Sequence, residues 1–151
     1  MSRLAKFRVL TWPERQLFFC ALILLPVTAF SLRLLGLRRV HAALRRAGIA
    51  LNKPVIPAKA PHHVGGVARL VAAAARHGPY KATCLTRSLT LQWLLHRRGI
   101  ESDLRLGVRK SAEGIDAHAW LEHEGVPLID ASDIRERYAA FDQVISPATL
   151  R

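Results

Sequence analysis

The stretch Leu85-Thr-Arg-Ser-Leu-Thr-Leu-Gln-Trp-Leu-Leu-His-Arg-Arg98 followed by Gly99-Ile-Glu-Ser-Asp-Leu-Arg-Leu-Gly-Val-Arg109 changes its hydrophobic period at the glycine. Before Gly99, Leu85, Leu89 and the Leu91/Leu94/Leu95 group recur at helical spacing, which predicts a helix over 85–98. After it, Leu104, Leu106 and Val108 alternate with Arg105, Gly107 and Arg109, the two-residue period of a half-buried strand. Two more strands are predicted over 117–122 and 126–130, with His123-Glu-Gly125 as the turn between them. Upstream, 64–77 reads as a helix with Val67, Leu70, Val71 and Ala74 on one side, ended by Gly78-Pro79. The tail from Ala131 is polar with some helical character. Helices come first and an antiparallel sheet follows, so the expected fold class is α+β.

The chain has 151 residues, one ordinary domain with room for a short addition. Half of them are hydrophobic and 23% are charged, which excludes wholesale disorder. Two cysteines, Cys20 and Cys84, are too few for a disulfide scaffold or a cysteine-rich zinc site. Charge is uneven. Residues 1–60 carry 11 Lys/Arg against the single acid Glu14, whereas 61–151 carry 12 against 10. A basic section of this kind meets an anionic partner or forms a solvated arginine-rich face. Pro54, Pro57 and Pro61 mark an extended connector over 52–63. We therefore expect a basic, hydrophobic helical section over 1–60 and the main domain over 61–151.

Residues 16–32 hold no charge and are fenced by Arg15 and Arg33. A helix pair that is buried or touches a membrane, a transmembrane span, a signal peptide and a plain core helix all fit this stretch. Arg33, Arg38 and Arg39 argue against export. The expected location is therefore cytoplasmic, with 16–32 as the point of any membrane-surface contact. Residues 34–49 read as an amphipathic basic helix, through Leu37, Val40 and Leu44.

Cys84 stands where the helix over 85–98 begins. The positive end of a helix favours a thiolate, and its free N–H groups can hold an oxyanion. A small buried apolar residue is the other reading of Cys84. Of seven histidines, His118 differs in lying inside a predicted strand between Ala117 and Ala119. With the turn at 123–125, His118 falls opposite Asp130, and directly paired residues share a face. A carboxylate there accepts the ring N–H and fixes the tautomer. The pairing depends on register, since a one-residue slip moves Asp130 to the other face. A core histidine and a strand-ending aspartate are the plainer readings. Trp120 shares the His118 face by alternation and suits either a groove wall or the core.

The ordered set Cys84-Leu-Thr-Arg-Ser88, Leu94-Leu-His-Arg-Arg-Gly-Ile100, Leu106-Gly-Val-Arg-Lys110, Ala117-His-Ala-Trp120 and Leu128-Ile-Asp130 resembles the transglutaminase-like cysteine proteases of lasso-peptide biosynthesis. It is most similar to their stand-alone leader peptidases, the protease half of the lasso maturation B protein, closely over 64–131. The resemblance implies a transglutaminase/papain-like cysteine protease core with Cys84 as nucleophile, His118 as general base and acid, and Asp130 as orienter. It implies cleavage of a leader from a ribosomally made precursor peptide that a separate leader-recognition protein presents. A separate ATP-using cyclase then closes the core peptide. The oxyanion would rest on the backbone N–H groups of Cys84 and Leu85.

An acyltransferase can use the same three residues, passing the thioester to an amine instead of water. A non-catalytic module binding a membrane or peptide through the basic section is a further alternative. No recognition helix or aromatic stacking motif points to nucleic acid. No glycine-rich phosphate loop occurs, and His62-His63 lacks a second cluster at ligand spacing. Neither a cofactor nor a metal is expected.

Overall fold

The structure is a computed structural model that describes residues 10–50, 64–112 and 114–141. The connector over 52–63, with His62 and His63, lies outside the described residues. Helix α1 spans Trp12–Ala50. Its start is held by Glu14, whose carboxylate accepts from the Thr11 amide at 2.7 Å and the Thr11 hydroxyl at 2.8 Å. Leu17, Ala21, Leu25 and Ala29 recur every four residues and are buried. The charge-free stretch 16–32 is helical, and the helix expected over 34–49 follows it across a kink. The break falls at Gly36 (φ 74°, ψ 166°), a conformation that glycine adopts without Cβ strain. Pro26 lies inside the run on its exposed side.

Helix α2 (Val64–His77) buries Val67, Ala68, Val71 and Ala74. It stops at Gly78, whose amide donates to the Ala74 carbonyl at 2.8 Å. A Cβ at Gly78 would come within 2.7 Å of that oxygen and 2.8 Å of Leu22 Cδ2, so glycine lets α1 approach. Helix α3 (Cys84–His96) starts one residue earlier than the hydrophobic pattern indicates. Leu89, Leu91, Leu94 and Leu95 join Leu17, Leu25 and Val71 in one core. The hydroxyls of Thr90 and Thr28 meet at 3.3 Å inside that core and tie α3 to α1.

Past Gly99 the chain forms strand β1 (Asp103–Ser111), which pairs antiparallel with β2 (Gly114–His123) from Asp103↔Glu122 to Ser111↔Gly114. Two short strands follow, β3 (Val126–Pro127) and β4 (Ala139–Ala140), with a single helical turn, α4 (Ile134–Arg137), between them. The sheet order is β3-β2-β1-β4. Leu104, Ala119 and Leu121 are buried on the face toward the helices, where the Ser88 hydroxyl of α3 donates to the Ala119 carbonyl at 3.3 Å. Trp120 faces the other way, into a second core with Ile134 and Tyr138. The fold is α+β, as the change of period at Gly99 implies.

Two expectations are corrected. The turn holds two residues, Glu124 (φ 49°) and Gly125 (φ 78°), not three. Two successive positive φ values match the twist of the flanking strands, so His123 stays in the ladder opposite Val126. The third strand also ends at Pro127 rather than at Asp130. After one further bond, Leu128 N–H to the Leu121 carbonyl at 3.0 Å, the chain bends over 128–130. Leu128 and Ile129 then pack against the helical core, which draws the chain off the sheet edge.

Candidate active site

Cys84 is the first residue of α3. Thr83 caps the helix in extended conformation, its hydroxyl accepting from the Thr86 amide at 3.2 Å. The first amides of any helix lack intrahelical acceptors. The cap takes that of Thr86, and the Arg87 amide reaches the Thr83 carbonyl at 3.0 Å. The amides of Cys84 and Leu85 are left facing out of the helix end. Four residues on, Ser88 shares the Cys84 side of α3 and bonds to Ala119, next to His118 in β2. A cleft of about 480 Å³ at this end of α3 has Arg76, Lys81, Ala82, Arg87 and Ile129 among its walls, so the segment before Cys84 and the one before Asp130 border one space.

His118 and Asp130 meet, with imidazole Nε2 2.9 Å from carboxylate Oδ1. Their side chains are 18% and 16% exposed, a partly sheltered setting that strengthens the bond. The route differs from the one the sequence suggests. In the observed register Asp130 would fall opposite Ala119 and face the helices. The bend over 128–130 returns its carboxylate to the His118 side. With Nε2 engaged as donor, Nδ1 remains to exchange a proton with another group. Among the described residues no hydrogen bond joins the Cys84 thiol to the ring, so the structure brings together His118 and Asp130 but shows no bond from either to Cys84.

Tyr138, which the sequence reading did not single out, and Trp120 hold the imidazole from behind. Tyr138 stacks on it at 5.1 Å between centroids, and Trp120 lies at 6.3 Å with nearly parallel rings. The Tyr138 hydroxyl donates to Asp116 Oδ2 at 2.8 Å, and Arg109 Nε donates to the same oxygen at 2.9 Å. Those two bonds hold the Asp116 carboxyl below the usual carboxylate range, and the bond to Asp116 pushes the Tyr138 hydroxyl up. Trp120 is fully buried and is therefore core; its Nε1 donates to Glu122 Oε1 at 2.8 Å. Glu122 is 2% exposed, and Arg135 clamps it from two nitrogens at 2.7 and 2.5 Å. Arg105 adds a third guanidinium bond at 3.2 Å. Burial alone would raise the Glu122 pKa; the bonds from Arg135 and Trp120 and the charge of Arg105 outweigh it and hold it below the ordinary value.

Gly107 is the cross-strand partner of His118. A Cβ there would come within 2.9 Å of the Trp120 ring and 3.0 Å of the Ala139 carbonyl. The glycine thus lets Trp120 lie across β1 beneath His118. Asp116 had a readable signal, since it sits two residues before His118 on the same strand face. Tyr138 had none, being 20 residues away in the polar tail. Among the described residues no group of three or more His, Cys, Asp or Glu side chains is placed to hold a metal ion.

Residues 24–145 match the sequence model of the transglutaminase-like superfamily. The chain belongs to that superfamily. The matched range contains α2, α3, the whole sheet and the His118–Asp130 pair. The chain is also 31% identical over 65 residues to the microcin J25-processing protein McjB of Escherichia coli. That stretch is 43% of this chain and 30% of McjB, so the chain aligns with about a third of that relative's length. No solved structure matches the chain. Superfamily membership and likeness to a microcin-processing protein together point to an enzyme.

Proposed function

We propose that the protein is a cysteine peptidase that removes the leader from a ribosomally made lasso-peptide precursor. The observation that carries this reading is the His118–Asp130 bond at 2.9 Å, with Nδ1 left over, in a chain whose α3 begins at Cys84. Likeness to a microcin-processing protein supports the substrate class. The Cys84 thiolate attacks the carbonyl carbon at the leader–core junction. The amides of Cys84 and Leu85 donate to the oxyanion that forms. As the C–N bond breaks, imidazolium His118 gives its proton to the leaving amine, which becomes the N-terminus of the core peptide. Water then attacks the leader thioester, with His118 taking its proton, and the C–S bond breaks to restore the Cys84 thiolate beside imidazolium His118. Asp130 keeps the ring in the tautomer this cycle needs.

In this reading a separate recognition protein presents the leader, a separate ATP-using cyclase takes up the product, and the reaction is cytoplasmic. The test mixes the purified protein with a precursor peptide and its recognition protein and follows the products by mass spectrometry. One cut at the leader–core junction is expected, lost in Cys84→Ala and His118→Ala and kept in Cys20→Ala. A product in which an added amine replaces water would make the protein an acyltransferase. No reaction by a folded protein with its partner present would overturn the enzymatic reading.

A further inference from the structure

Helix α1 presents a second apolar stripe, opposite the one that builds the core. Phe19, Ile23, Val27, Phe30 and Leu34 follow one another at helical spacing, and each is more than half exposed. The stripe is about 22 Å long at 1.5 Å per residue. A patch of that size on a folded chain marks a surface that meets something apolar. Its surroundings are basic. Arg33 is exposed beside Leu34, and past the break at Gly36 the exposed Arg38, Arg39 and Arg46 line a cleft of about 550 Å³ with Ala42 and Ala43. No acidic residue occurs between Glu14 and Glu101, so none of the three long helices carries a carboxylate past the first turn of α1.

We infer that this face of α1 is a one-sided seat on an anionic lipid surface. An apolar stripe continuing into uncompensated guanidinium groups is the pattern of a helix lying in the interface, with its side chains in the acyl boundary and its cations at lipid phosphates. By length and composition α1 could also cross a bilayer. The opposite stripe decides between the two. Leu17, Ala21, Leu25, Thr28 and Ala29 are buried, most of them in the core shared with α2 and α3, and Thr28 bonds to Thr90. A span would pull these residues out of the core, whereas a seat uses only the side the fold leaves open. The inference is independent of the peptidase reading.

Flotation of the full chain with vesicles tests it. Phosphatidylcholine vesicles containing a quarter phosphatidylglycerol should bind at least about tenfold more tightly than phosphatidylcholine alone. Binding should weaken as salt rises, and alkaline carbonate should release the protein. Ile23→Ser/Phe30→Ser and, separately, Arg38→Glu/Arg39→Glu should each lower the partition coefficient by about tenfold. All these positions are exposed, so thermal unfolding should stay unchanged. Absence of flotation, or flotation that neither double substitution weakens, would overturn the inference. So would resistance to carbonate, which would mean a span. A soluble dimer dissociated by Phe30→Ser, without flotation, would overturn it in favour of an interface between two copies.

Discussion

His118 and Asp130 are bonded at 2.9 Å although they are not partners in the sheet. The bend over 128–130, not strand register, delivers the carboxylate to the ring. In the proposed cycle Asp130 orients the imidazole and takes no proton. Asp130→Asn keeps an oxygen that accepts the ring N–H, so it should retain more of kcat/KM than Asp130→Ala. The alanine variant should lose about a hundredfold or more. Equal rates for the two variants would show that the carboxylate charge, not the orientation, matters.

The two cysteines should differ in reactivity. Burial pushes the Cys20 thiol up, against the opposing charges of Arg97 and Arg98, so little of it is thiolate at neutral pH. Iodoacetamide at pH 7 should therefore modify Cys84 first in the folded protein. Cys20 should react only on unfolding or at higher pH. Peptide mapping of the alkylated chain reads this directly, and preferential labelling of Cys20 would contradict it.

Gly107→Ala should cost about 1–3 kcal/mol, because the added methyl enters the space of the Trp120 ring and the Ala139 carbonyl. The displaced ring lies beneath His118, so activity should fall even at temperatures where the variant is fully folded. Thermal unfolding and kcat measured side by side separate the two effects. Unchanged stability would mean that the sheet opens more easily than its packing implies.

Glu122→Gln should destabilise the protein by about 1–3 kcal/mol at neutral pH, since Arg135, Arg105 and Trp120 lose their shared carboxylate. Glu122 is held below its ordinary pKa in the folded state. Its contribution is therefore complete above the unfolded value, about pH 4.3, and is lost as the pH falls toward the lower folded value. The gap between wild type and variant should narrow below about pH 4.3. Denaturant titrations at neutral and acid pH measure it; a gap that widens in acid would reverse the sign of the argument.

Much of the architecture was legible because its causes are local. Gly78-Pro79 and Gly99 end helices by their own backbone preferences. Leu104, Leu106 and Val108 alternate because a strand's two faces meet different surroundings. Cys84 was legible as a helix-start residue, although the hydrophobic pattern placed the first helical position at Leu85. The cap that moves it is a single hydroxyl bond from Thr83. The kink at Gly36 was less visible, because a lone glycine in an apolar helical pattern does not announce a positive φ.

The hairpin shows where local reading stops. His123-Glu-Gly125 is compatible with a three-residue turn or with two turn residues inside a ladder, and the twist of the paired strands selects the second. By itself the sequence determined the helices, the change to sheet at Gly99, and the candidates Cys84, His118 and Asp130 on which the proposed function rests. Tertiary structure alone decided that Asp130 reaches His118, because Leu128 and Ile129 find the helical core and bend the chain there. It alone brought Tyr138 behind the ring, and it alone left one side of α1 bare. Those outcomes depend on which surfaces compete for the same apolar side chains, and that competition exists only once the elements are packed.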